Sequence, residues 1–182
     1  MTERRQWAII AIAAGFGLAA GAYFGLLHAP GSSGPAQSAI DALYATTLPD
    51  LETRPQPMAQ WKDRILIVNF WATWCPPCRE EIPGLIRAQS RSSSKNVQIV
   101  GIALDTQEKV AEFTKSVGIN YPVVIGGLDA ISLTEMLGNK SGALPYTVFI
   151  SPGGKHARTH LGLVSEAQLD RLIAEMADAA RP

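Results

Sequence analysis

Residues 64–83 read RILIVNFWATWCPPCREEIP, a strand pattern that gives way to a helix pattern across a pair of cysteines. Its first part, Arg64 to Trp71, is a near-continuous apolar run rich in β-branched residues. Such a run predicts a central strand covered on both faces. From about Pro77 to Gln89 the spacing becomes helical, with Cys78, Ile82, Leu85 and Ile86 on one face. Pro83 lies inside that helix and predicts a kink. Between strand and helix stands Trp74-Cys75-Pro76-Pro77-Cys78.

Val97 to Leu104 repeats the buried-strand pattern. A helix follows over Gln107 to Val117, with Val110, Phe113 and Val117 on one side. Tyr121 to Ile125 reads as a short strand, and Asp129 to Leu137 as a helix closed by Gly138. Tyr146 to Ile150, the turn Ser151-Pro152-Gly153-Gly154 and Lys155 to Leu161 predict an antiparallel hairpin. The last helix opens at Ser165 with Gln168 three residues on, a capping box, and should bury Leu169, Leu172, Ile173 and Met176. Before the central strand, Ser38 to Tyr44 predicts a short helix, and Thr47–Leu51 and Pro57–Trp61 two proline-bearing edge strands. Strands alternating with helices and ending in a hairpin indicate an α/β fold with a mixed β-sheet flanked by helices.

The 182 residues suit one domain with an appendage. Basic and acidic residues balance at 16 each, which gives no support to nucleic-acid binding. Hydrophobic residues make up 47% of the chain and are concentrated at its start. Trp7 to Leu27 carries no charge, and a helix of that length rises about 31 Å, enough for a bilayer core of about 30 Å. Arg4 and Arg5 precede it, so residues 1–27 predict a cytoplasmic tip and an uncleaved membrane anchor, with the remainder exported. A cleaved signal peptide fits less well, because the apolar stretch is too long and Phe24–Ala29 offers a poor cleavage site. Gly17, Gly21 and Gly25 form a stripe that would suit an anchor dimer. Residues 28–37 (HAPGSSGPAQ) read as a flexible linker, and 38–182 as the domain itself.

Two cysteines cannot build a multi-bridge scaffold or a four-ligand zinc site. Cys75 stands where unpaired N–H groups and the positive end of a helix dipole stabilise an anion, which lowers a thiol pKa. Cys78, one turn in, is close enough to close an S–S bond. This is the minimal arrangement for dithiol–disulfide exchange: Cys75 attacks a disulfide, and Cys78 resolves the mixed disulfide. A structural disulfide closing so small a loop would stabilise little. A metal chaperone using the same pair is the alternative binding-module reading, but copper or zinc would need further ligands. His156 and His160 are plausibly spaced for that, yet alternate on one face of a hairpin strand and read as solvent-facing. Nothing in the sequence calls for a cofactor. A peroxidase of the peroxiredoxin type is disfavoured, because the thiols lie in CPPC at a helix start.

Val68 to Pro83, together with Leu48-Pro49-Asp50-Leu51 and Ala143-Leu144-Pro145-Tyr146-Thr147, resembles the membrane-anchored thioredoxin-like proteins of the TlpA/ResA type. The resemblance takes in about residues 45–180. It implies a thioredoxin-like fold with an added N-terminal hairpin, facing the periplasm and reducing disulfides. It makes Cys75 the nucleophile and Cys78 the resolving thiol, and gives Glu81 a part in tuning the thiols and moving protons. Without it, Glu80 and Glu81 are merely acids of the first helical turn, favoured by the dipole. It places Pro145 in a cis-proline loop facing the cysteines, with Trp74, Pro76, Leu144 and Pro145 lining the substrate site. A cis X-Pro bond there would leave backbone groups free to pair with a substrate strand. The implied partners are apocytochrome c or copper-site assembly factors, with a DsbD-like membrane partner as reductant. Ordinary thioredoxin has a buried aspartate where this chain has Asn69, so proton transfer falls to Glu81 or water. The cytochrome c maturation branch usually has an acidic residue just after the cis-proline, where this chain has Tyr146.

Overall fold

The apolar run forms β3 (Ile65–Trp71), every residue of which is buried. The computed structural model describes residues 34–92 and 96–180. In chain order these comprise α1 (Gln37–Ala45), β1 (Thr47–Pro49), β2 (Pro55–Pro57), β3, α2 (Pro76–Ser92), β4 (Val97–Ala103), α3 (Gln107–Val117), β5 (Val123–Ile125), α4 (Asp129–Met136), β6 (Tyr146–Ile150), β7 (Ala157–Leu161) and α5 (Glu166–Asp178). The expected anchor over Trp7–Leu27, its glycine stripe and linker residues 28–33 lie outside the described residues. Among those described, no helix is long and apolar enough to cross a membrane.

The main sheet has the order β5-β4-β3-β6-β7. β3 runs parallel to β4 and antiparallel to β6, so the sheet is mixed as expected. The pleat of β3 sorts its side chains into two cores. Ile65, Ile67 and Trp71 pack with Cys78, Ile82 and Leu85 of α2 and with Leu169, Ile173 and Met176 of α5. Leu66, Val68 and Phe70 face the other way, onto Ile40 and Leu43 of α1 and Leu133 of α4. Covering on both faces is what a run without polar alternation requires. At Gly101 on β4 a Cβ would come within 2.9 Å of the Trp71 indole nitrogen, so glycine there leaves room for that ring.

The added hairpin pairs β1 with β2, Thr47 opposite Pro57. Asp50 closes its loop by accepting the Glu52 and Arg54 N–H groups, both at 2.9 Å. The second edge strand, expected over Pro57–Trp61, is instead Pro55–Pro57, and Met58–Trp61 is a 3-10 turn. Met58 and Trp61, three apart, both point into the core on such a turn, which an edge strand would not allow. Helix boundaries follow the expectations closely. α2 is longer than predicted at both ends and continues through Pro83. The capping box is formed: Ser165 Oγ accepts from the Gln168 N–H, and Gln168 Oε1 accepts from the Ser165 N–H. Val117 is 40% exposed and Leu172 only half-buried, so the apolar faces of α3 and α5 are narrower than their sequence periodicity suggested.

Candidate active site

The strand–helix junction sets the site. β3 ends at Trp71, the chain turns through Ala72–Trp74, and α2 begins at Pro76. The Cys75 N–H bonds to the Ala72 carbonyl at 3.2 Å, and the Thr73 hydroxyl donates to the Asp105 carboxylate. Pro76 and Pro77 at the helix start have no N–H to offer. The first free donor of the helix is therefore Cys78, and its N–H points at Cys75 Sγ, 3.3 Å away. A backbone donor aimed at that sulfur favours its anionic form.

Cys75 and Cys78 are joined as a disulfide with Cα atoms 5.3 Å apart. Cys75 is 4% exposed and Cys78 fully buried, so an attacking partner reaches Cys75 first. Beside them Trp74 is 65% exposed and Pro76 exposed, while Leu144 is half-buried against the core that holds both cysteines.

The Leu144–Pro145 bond is cis. Register places it: Tyr146 pairs with Phe70, so Pro145 lies level with Trp71 at the end of the sheet where β3 delivers the cysteines. The Pro145 carbonyl is taken by the Gly162 N–H at 2.9 Å. Leu144 makes no backbone–backbone hydrogen bond among the described residues. Pro145 itself is buried, Leu144 is half-buried and Ala143 before it is exposed, so the loop is reached from the Leu144 side. Tyr146 turns into the opposite core and donates its hydroxyl to the Leu137 carbonyl at 2.7 Å.

The two glutamates part company. With α2 starting at Pro76, both fall in its second turn, not its first. Glu80 is exposed, whereas Glu81 is 3% exposed. Glu81 shares a face of α2 with Cys78, one turn away. Its Oε1 accepts from Asn69 Nδ2 at 2.6 Å, and its Oε2 from the Val164 N–H at 2.9 Å. Burial pushes the carboxyl pKa up from 4.5 to about 7, and these two bonds hold it from going further. Tyr121 lies close enough for the Glu81 charge, added to burial, to raise its phenol. Asn69, an amide inside an apolar strand, was a visible signal of this network. Val164 and Thr147 were not visible, since they arrive from elsewhere in the chain.

His156 is exposed and His160 bonds to the Leu163 carbonyl at 3.1 Å. Among the described residues no three His, Cys, Asp or Glu side chains converge to hold a metal ion.

A disulfide at the start of the helix that follows a central strand, with a cis-proline at the same sheet end, defines the thioredoxin-like thiol–disulfide oxidoreductases. Residues 40–157 match the AhpC/TSA family, and the chain belongs to it. It is 31% identical over 117 residues to the thiol-disulfide oxidoreductase ResA of Bacillus subtilis, covering 62% of this chain and 61% of that one. The Bacillus cereus ResA is 30% identical over 129 residues, covering 70% and 72%. Among solved structures, a thioredoxin-related protein from Neisseria meningitidis serogroup B superposes with a TM-score of 0.66 at 32% identity, over 72% of this chain and 98% of that one. A thiol:disulfide interchange protein of the thioredoxin family from Chlorobium tepidum gives 0.65 at 30%, over 72% and 92%. The relatives make the chain a thioredoxin-like protein of the ResA/TlpA type.

Proposed function

We propose that the protein is a membrane-tethered disulfide reductase acting on exported proteins in the periplasm. Residues 1–27 anchor it in the inner membrane, 28–37 form the linker, and 38–182 carry the thioredoxin-like domain. The observation that carries the reading is the asymmetry of the pair: a reachable Cys75 whose sulfur receives a helix N–H, and a buried Cys78 one turn behind.

The reaction then balances in two steps. The Cys75 thiolate attacks one sulfur of the substrate disulfide, forming a mixed disulfide and releasing the other sulfur as a thiolate that takes up a proton. Cys78, deprotonated with Glu81 as acceptor, attacks Cys75, releasing the second substrate thiol. Two electrons pass to the substrate, and the enzyme ends as the Cys75–Cys78 disulfide seen in the structure. Trp74, Pro76 and Leu144 form the substrate platform, with the Leu144 backbone available to an extended strand and Pro145 shaping the loop. The oxidised enzyme is returned to the dithiol by a DsbD-like membrane partner, because the periplasm itself is oxidising. Apocytochrome c or copper-site assembly factors are the substrates the family likeness favours.

Insulin reduction and metal titration on the reduced protein test this reading together. Catalytic insulin reduction with no stoichiometric copper or zinc supports it. Tight one-to-one metal binding without reductase activity replaces it with a metal-carrying role for the same cysteines.

A further inference from the structure

Asn69 interrupts the apolar run of β3 and is fully buried. Strand alternation turns it to the face of Ile67 and Trp71, which α2 covers. Its Nδ2 donates one proton to Glu81 Oε1 at 2.6 Å and the other to Thr147 Oγ1 at 3.1 Å. Thr147 is its register partner on β6, so strand pairing itself brings the hydroxyl to the amide. Asn69 Oδ1, by contrast, is buried without a hydrogen-bond partner among the described residues. Buried polar groups are normally paired, and this one belongs to the amide that touches a buried carboxyl group.

We propose that Asn69 and Thr147 are positioning residues for proton transfer: Thr147 holds the amide with its N–H toward the Glu81 carboxylate, and Asn69 Oδ1 accepts the O–H when Glu81 is protonated. A carboxylic acid and a primary amide pair through two parallel hydrogen bonds, N–H to one oxygen and O–H to the other. One side chain thus serves both charge states after a small rotation of the carboxyl group. Without the Thr147 hydroxyl, the amide is free to turn over and set oxygen against oxygen. Among the described residues the groups facing Glu81 are Asn69 from β3, Thr147 from β6 behind the amide, Tyr121 from the segment before β5, and the Val164 N–H from the loop before α5; Cys78 stands one turn earlier on α2. None of the ion pairs among the described residues involves it.

The inference rests on Glu81 as the proton carrier of the proposed reaction, but its test does not require that reaction. Carboxyl 13C NMR on the intact, oxidised 182-residue chain follows the Glu81 titration, its signal identified by loss in Glu81→Gln. Thr147→Val keeps the β-branched shape and removes the hydroxyl. It raises the Glu81 midpoint by about 0.5–1 pH unit, the worth of one hydrogen bond to the ionised arrangement. Thr147→Ser keeps the hydroxyl and loses only a methyl group, and leaves the midpoint in place. A packing role for Thr147 predicts the opposite order. An unmoved midpoint in Thr147→Val, or equal movement in both variants, overturns the proposal. Failure of insulin reduction would leave these midpoints unaltered, so the two ideas fail separately.

Discussion

Cys75→Ser abolishes disulfide exchange, while Cys78→Ser leaves the attack intact and stops the reaction at its intermediate. The cause is the division of labour between the two sulfurs. Cys75 is the more accessible of the two, with the Cys78 N–H directed at its sulfur. Serine cannot replace it, because a hydroxyl is not ionised near neutral pH and its oxygen does not form the mixed disulfide. Loss of the nucleophile removes the catalysed rate altogether. Cys78 is fully buried, and no substrate reaches it directly. Replacing it removes only the resolving step, so Cys78→Ser accumulates covalent adducts with its substrates. Non-reducing electrophoresis of the variant expressed in its own compartment, followed by mass spectrometry of the adducts, checks this and identifies the substrates. A Cys78→Ser protein that captures nothing, or a Cys75→Ser protein that still turns over, contradicts the assigned roles.

The second large effect is on pH dependence. Glu81 titrates at about 7 in the folded protein and near 4.5 when exposed. Between these values the folded state holds a proton that the unfolded state has lost. Stability therefore falls as pH rises from about 4.5 to about 7, by roughly 3 kcal/mol in all, and is flat above. Glu81→Gln removes that slope, whatever it does to the absolute stability through its two hydrogen bonds. Denaturant unfolding at intervals from pH 5 to 8 gives the comparison. The depressed carboxylates Asp50 and Asp105 lose their contributions only at lower pH, outside this window. In the exchange rate, the step near neutrality disappears with Glu81. Parallel pH profiles of wild type and Glu81→Gln would return Glu81 to a purely structural part.

Much of this was legible in the sequence, for reasons that mark where sequence reading stops. β3 and β4 were visible because strands buried on both faces need unbroken apolar runs. The cysteines were visible because chemistry requires that spacing at a strand–helix junction. Met58–Trp61 was misread because prolines suit an edge strand, and the i, i+3 burial of a 3-10 turn leaves no distinct pattern in four residues. Glu80 and Glu81 could not be separated by residue type, since which of them turns inward depends on a helix register fixed by packing. The partners of Glu81 were beyond reach: Val164 lies 83 residues away, and Thr147 lies 78 residues from Asn69. The cis bond before Pro145 followed from the family likeness and from no local signal, because a proline before a strand is equally an ordinary turn.

The direction of electron flow separates a reductase from an oxidase, and equilibration of the Cys75–Cys78 pair against a glutathione redox buffer measures it. A reductase regenerated from the membrane requires a potential well on the reducing side, between about −200 mV and the −270 mV or so of thioredoxin. A potential near −120 mV, that of a strong oxidant, would mean that the same dithiol makes disulfides in its substrates and does not remove them.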